Sequence, residues 1–167
     1  MISLQFHLKL RKLLKFFRKM KWKTEYATGI HNVDNQHKEI VEIITLYEKI
    51  SGDKASWHEL HPLILRTREF MEFHFAVEES LMRLLLYPDF DAHCAEHQRE
   101  LQHIADIERL MLRGNMHYRL APLMRYSLFG HIVAGDKRLA QYALSLYGQR
   151  SPGKGKQGAI ALAVRCE

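Results

Sequence analysis

Apolar residues recur every three or four positions between Val33 and Tyr147, and short polar, glycine or proline clusters interrupt the pattern three times. The first stretch predicts a helix from about Val33 to Ile50, capped by Asn32 or Asp34 and ended by Ser51-Gly52-Asp53. The second opens at Ser56-Trp57-His58-Glu59, which has capping-box spacing, and continues through Leu60, Leu63, Ile64, Thr67, Phe70, Met71 and His74 to about Leu86. Tyr87-Pro88-Asp89 breaks it. The third runs from about Asp89 to Arg113, with Gly114-Asn115 as its stop. The fourth runs from about Ala121 to Tyr147, with Pro122 in its first turn and Gly148 just beyond. No stretch here alternates with the period of a strand, and no segment repeats. The expected fold is all-α, an antiparallel up-down-up-down four-helix bundle over residues 22–149.

The two ends follow other patterns. Leu10, Leu13, Leu14 and Phe17 share one helical face, and Arg11, Lys12, Lys15, Arg18 and Lys19 cover much of the rest. Residues 1–21 therefore read as a basic amphipathic arm, able to dock weakly on an anionic membrane surface or a protein. Residues 150–167 begin Arg-Ser-Pro-Gly-Lys-Gly-Lys and read as a disordered basic tail.

Charge sharpens this division. The chain carries a formal +6, but residues 1–21 hold seven Lys and Arg with no acid, and residues 150–167 hold four with one acid. The 128 residues between them hold 14 basic and 18 acidic side chains. A mildly acidic middle argues against a nucleic-acid-binding domain. Cys94 and Cys166 are too few for a disulfide framework, which fits a reducing, cytoplasmic setting. No apolar run approaches the ~20 residues of a membrane span. Residues 1–20 lack the pattern of a signal peptide. Nothing in the sequence sets the oligomeric state.

Histidine is unusually frequent, at 11 of 167 residues. His37 lies on the first helix, His74 and Glu78 on the second, His93 and His97 on the third, and His131 and Asp136 on the fourth. Successive residues of an α-helix turn by ~100°, so His74/Glu78 and His93/His97 each share a face, one turn apart. His131/Asp136 are five apart, which an α-helix separates by ~140°. All seven lie on apolar stripes, among Ile40, Ile44, Tyr47, Phe70, Met71, Leu81, Leu128 and Ile132. A polar group on a core-facing stripe is costly unless paired or bound to metal. A shared metal site resolves all seven together, and bundle cores are a known place for one. Five imidazoles, two bridging carboxylates and a bridging oxide or hydroxide leave one position of two octahedral ions open. Nitrogen-rich ligation with carboxylate bridges suits iron.

These residues resemble the hemerythrins, and most of all the single-domain bacterial hemerythrins. The resemblance rests on Trp22 with Tyr26-Ala-Thr-Gly29, Val33-Asp34-Asn-Gln36-His37-Lys38 and His74-Phe75-Ala-Val-Glu78-Glu79-Ser-Leu-Met82. Tyr87-Pro88 with His93-Cys-Ala-Glu-His97, and His131-Ile132 with Asp136, complete it. It implies reversible dioxygen binding at a non-haem centre of two iron ions (Fe2+/Fe3+) with a bridging oxide or hydroxide, without catalytic turnover. By the same resemblance His93, His97 and His131 hold one iron. His37 and His74 hold the other, which keeps the open position, and Glu78 and Asp136 bridge them. Ile40, Leu128 and Ile132 are implied to line the dioxygen pocket and exclude water. Ser127 stands where the family usually has tryptophan, four residues before the last histidine, so a more open pocket and faster autoxidation are expected. Oxygen storage or delivery is the expected role. Sensing of oxygen, redox state or nitric oxide, or di-iron oxidase chemistry, are the alternatives.

Other patterns compete. His93-Cys-Ala-Glu96-His97 fits the inverted zinc-protease motif H-x-x-E-H, which leaves five ligand-type residues unexplained. A ferritin-like oxidase would need Glu-x-x-His on two facing helices, and the predicted helices lack it. A metal-free bundle would have to bear seven buried polar groups. His58, His61, His103 and His117 read as surface or cap residues, Cys94 as pointing away from the irons, and Trp22 and Tyr26 as packing over the bundle.

Overall fold

A computed structural model of the chain describes residues 21–50, 56–113 and 120–149. The basic arm and tail expected for residues 1–21 and 150–167 lie, except for Lys21, outside this range, as do His117 and Cys166. A 3-10 turn, Thr24–Tyr26, precedes α1 (His31–Ile50), α2 (Trp57–Leu85) and α3 (Phe90–Leu112). The fourth helix, α4, is continuous over residues 120–149 but changes pitch along the way. It begins as α-helix over Leu120–Met124, passes through two π-helical turns, Arg125–Phe129 and Ile132–Asp136, and ends as α-helix over Lys137–Gln149.

Side-chain pairings fix the antiparallel order. Between α1 and α2, the early His37 meets the late His74, and the late Tyr47 hydrogen-bonds the early Thr67 at 2.9 Å. Between α2 and α3, Arg68 pairs with Glu108 and Glu79 reaches His97. Between α3 and α4, Glu100 accepts from Ser127 and Glu96 from Arg138. Between α4 and α1, Arg125 pairs with Glu48, and His37 approaches Asp136. Each helix touches the next and α4 closes back on α1. The architecture is the four-helix bundle that the apolar periodicity predicts.

Local chemistry sets the helix ends. Glu59 accepts from the backbone N–H of Ser56 at 2.9 Å, the reciprocal bond of a capping box. The second helix ends on Leu86, which adopts a left-handed conformation (φ 52). The first helix departs from expectation, because it begins at His31 and neither Asn32 nor Asp34 is its cap. The Asp34 carboxylate instead reaches back, accepting from Thr28 N–H (2.6 Å), Thr28 Oγ1 (2.8 Å) and Gly29 N–H (3.1 Å). Gly29 has φ +86, a conformation that L side chains rarely adopt. This clasp fixes the segment that lays Trp22 and Tyr26 against the bundle. Tyr26 stands edge-on to Phe129 at 4.7 Å.

The main core gathers Ile40, Ile44, Tyr47, Leu60, Ile64, Met71, Phe75, Ile104, Leu128 and Ile132, all almost wholly buried. A smaller cluster of Met82, Tyr87 and Leu139 closes the other end, with Cys94 packed against it. Burial, then the negative charge of Glu79, raises the Cys94 thiol above its ordinary pKa. No described helix is long and apolar enough to cross a membrane.

Candidate metal centre

The seven candidate ligands meet in the middle of the bundle. His37, His74, Glu78, His93, His97 and Asp136 are at most 2% exposed and His131 is 7% exposed. Their ligating atoms form two groups, Glu78-His93-His97-His131 and His37-His74-Glu78-Asp136, each with all its atoms within 4.8 Å of one another. Glu78 belongs to both. Its Oε2 lies 3.3 Å from His97 Nε2, 3.5 Å from His93 Nε2 and 3.8 Å from His74 Nε2. Asp136 spans the groups with its two oxygens. Oδ2 is 3.0 Å from His37 Nε2, and Oδ1 is 2.9 Å from His131 Nε2.

The π-helical turn explains the last pair. Five residues separate His131 from Asp136, a spacing that an α-helix splays apart. The turn over Ile132–Asp136 closes i→i+5 and stacks residues five apart. The expected splay of this pair is thereby corrected, because helix pitch, and not only spacing, sets direction. Gly135 makes room for the arrangement. A Cβ there would come within 2.9 Å of both His131 Cε1 and Glu96 Oε2.

Three partners aim the imidazoles, and sequence reading did not single them out as such. His74 Nδ1–H donates to Gln36 Oε1 at 2.8 Å, and His97 Nδ1–H donates to Glu79 Oε1 at 3.1 Å. Each bond turns the other ring nitrogen, Nε2, inward with its lone pair free. Glu96 sits 3.6 Å from His131 Nδ1 and is itself gripped by Arg138 at 2.9 and 3.1 Å. The sequence did hold a signal: Gln36, Glu79 and Glu96 each directly adjoin a ligand candidate. The place of Glu96, on the far side of the His131 ring and tied to Arg138, is not that of a general base in a zinc-protease site.

The fit to metal rests on unsatisfied atoms. The Nε2 atoms of His37, His74, His93, His97 and His131, and both oxygens of Glu78 and of Asp136, are buried without a hydrogen-bond partner. The close His–carboxylate distances lack hydrogen-bond alignment. Buried polar atoms left this way are costly, and metal ions in the two groups satisfy them together.

Charge tells the same story. Burial pushes Asp136 up, but the imidazoles of His131, His37 and His74 outweigh it and hold the carboxyl well below the usual range. Burial and Asp136 push Glu78 up, and His74, His93 and His97 bring it below its ordinary value. Burial pulls His93 down, but Asp136 and Glu78 outweigh it and hold the imidazole up at about 9. In the metal-free chain this pairing stabilises the fold at low pH and is lost as pH rises from 6.5 to about 9. A ligating imidazole must give up its proton. Metal affinity is therefore expected to climb through neutral pH towards about 9. Calorimetric titrations in buffers of different ionisation enthalpy measure the protons released. Affinity that levels off near 6.5, with no proton release above it, contradicts this.

Ile40, Leu128 and Ile132 are wholly buried in one cluster with Met71 and Phe75. Phe75 stacks on the His97 ring at 4.0 Å and meets His131 edge-on at 5.4 Å. Ser127 is buried, and its hydroxyl donates to Glu100, with His103 Nδ1 at 3.3 Å. It thus engages α3 from the α4 side. His58 and His103 are surface residues, whereas His61 is half-buried, stacked on Trp57 at 4.2 Å and paired with Glu108.

Comparisons with known proteins follow the same residues. The model of the hemerythrin HHE cation-binding domain matches residues 28–140. A bacteriohemerythrin from Pseudomonas paraeruginosa is 30% identical over 116 residues, covering 69% of this chain and 75% of that protein. One from Methylococcus capsulatus is 28% identical over 116 residues, covering 68% and 87%. One from Clostridium acetobutylicum is 30% identical over 79 residues, covering 46% of this chain and 61% of that protein. No solved structure matches the chain significantly. With two thirds of its length matched and a buried His/Glu/Asp cluster able to hold metal ions, the chain belongs to the hemerythrin HHE cation-binding domain family.

Proposed function

We propose that the protein binds dioxygen reversibly, as an oxygen store or carrier, at a two-iron centre held by His37, His74, Glu78, His93, His97, His131 and Asp136. The observation that carries this reading is the pair of buried ligand groups sharing Glu78, one with three histidines and the other with two. With Asp136 also reaching both sides through its two oxygens, the His37–His74 side would be one ligand poorer. Bound iron would supply the electrons and the vacant coordination position that dioxygen requires, with an oxide or hydroxide between the two ions.

The chain's own residues do the rest. Glu78 and Asp136 bring two negative charges into the core and offset the charge of the cations. Gln36 and Glu79 fix the tautomers of His74 and His97, so that Nε2 faces inward. Ile40, Leu128 and Ile132 wall the site with apolar surface, admitting a small apolar gas while keeping water and protons out. Binding without turnover is the expected behaviour of such a dry pocket.

The test is direct. Protein expressed with iron should carry two irons per chain and show oxo-bridge charge-transfer bands. Cycling between air and anaerobic dithionite should reveal a distinct oxygenated spectrum that disappears on deoxygenation. Irons that oxidise at once, with no oxygenated form, would move the function to redox sensing or oxidase chemistry. Zinc, or no metal, would sink the reading.

A further inference from the structure

The candidate ligands are almost wholly buried, so a reductant larger than a gas molecule cannot touch them. An oxidised iron pair returns to the ferrous state only if electrons cross protein. This inference rests on the two-iron reading above.

One aromatic side chain bridges solvent and ligand in a single step. Trp22 is half-buried on the entry segment, and its ring centre lies 6.3 Å from that of His37. His37 in turn stands edge-on to His74 at 5.1 Å. A second aromatic route leads out from His93 through Tyr87 (6.2 Å) to Tyr142 (a further 5.3 Å). It needs an extra ring, and its inner ring, Tyr87, lies in the field of Asp89, Glu96 and Arg138.

The surface around Trp22 favours an anion. Trp22 borders an open groove of ≈ 580 Å³ along α1, rimmed by Lys21, Lys38, Lys49 and Arg66 against Glu39 and Glu42. The Lys38 ammonium sits over the Trp22 ring at 6.0 Å. Electron-transfer encounters are among the smallest protein interfaces and depend on charge complementarity for their rate.

We propose that Trp22 is an electron port, on which the acidic face of a one-electron carrier protein docks and from which electrons reach the metal centre through His37. Each encounter oxidises one reduced carrier by one electron and reduces one ferric ion to ferrous, so two encounters restore the pair. Where the group between the ions is hydroxide, no other bond need form or break; an oxide would take up one proton and become hydroxide. Lys21 and Lys38 steer the carrier, and the Trp22 ring carries the coupling.

The probe is photoreduced flavin mononucleotide, whose phosphate makes it an anion, mixed with the oxidised two-iron protein in a stopped-flow instrument. The wild-type rate should fall as salt is raised through ~0.1 M, where screening sets in over ~10 Å. Trp22→Leu should slow reduction at least about tenfold, a barrier increase of ~1.4 kcal/mol, while Trp22→Phe keeps a ring and most of the rate. The double variant Lys21→Gln/Lys38→Gln should slow reduction by the flavin but not by the cationic methyl viologen radical. Tyr142→Leu should change neither. A second readout needs no iron: oxidised flavin mononucleotide should bind the metal-free protein more weakly after the double lysine substitution. A chain that lacks two irons removes the underlying reading and this proposal with it. A two-iron chain in which Trp22→Leu is reduced as fast as wild type removes the port alone. Flavin binding that ignores both lysines overturns the acidic partner.

Discussion

Glu78→Gln is expected to end two-metal binding and to weaken the remaining ion by more than about 100-fold, since losing even an outer hydrogen-bond partner of a ligand costs ~10–100-fold. Glu78 is wholly buried and the only residue common to both ligand groups. Its Oε2 lies within 3.8 Å of His74, His93 and His97 Nε2. An amide keeps the volume, removes the negative charge and makes a poor bridge. Glu79→Gln gives the graded comparison. That side chain accepts from His97 Nδ1 at 3.1 Å and from Arg83 at 3.4 Å and is not itself among the ligand groups, so its loss belongs in the ~10–100-fold range. Metal content by plasma emission spectroscopy and competition titration against a chelator read both effects. If Glu78→Gln retains two ions at wild-type affinity, Glu78 is not the bridge.

The second large effect comes from adding one methyl group. Gly135→Ala places a Cβ 2.9 Å from His131 Cε1 and from Glu96 Oε2, and 3.1 Å from His131 Nδ1. Glu96 ends a flexible chain but is held by Arg138. The His131 ring is enclosed by Phe75, His93 and His97. Alanine gains ~1 kcal/mol of helix propensity over glycine, and the clash costs ~1–3 kcal/mol. The net in the metal-free fold is a loss of ~0–2 kcal/mol, so thermal stability without metal should fall only modestly. The ring must still move, and its Nε2 with it, so metal affinity should drop sharply. Gly130→Ala separates the causes. A Cβ there meets nothing within 4 Å, so this variant should gain ~1 kcal/mol and keep its metals. Equal behaviour of the two variants would mean that Gly135 is not needed for the His131 geometry.

Much of this molecule is legible in the order of its residues. Apolar periodicity and breakers such as Ser51-Gly52 and Tyr87-Pro88 determine four helices, and short links between them determine an antiparallel bundle. A spacing of four places His74 with Glu78 and His93 with His97, because local helix geometry is enough to stack them. Seven ligand-type residues on apolar stripes announce a metal cluster, since nothing else local would satisfy them all.

Tertiary structure decided the remainder. Asp34 carries the composition of a helix cap, yet it grips Thr28 and Gly29, because the preceding segment offers three donors at better geometry. The His131–Asp136 pair looks splayed at α-helical pitch, and only the π turn, whose Asp136 lies against His37, His74 and His93 of the other three helices, brings both inward. Ser127 reads as a gap in the pocket wall, and packing spends its hydroxyl on Glu100 across the bundle. Gln36, Glu79 and Glu96 become partners of the imidazoles because neighbouring helices bring them there. Apart from the Asp34 clasp, which spans only five or six residues but leaves the regular helix, the deciding contact joins residues far apart in sequence or depends on a change of helix pitch. Periodicity, which speaks only of neighbours on one regular helix, cannot see either.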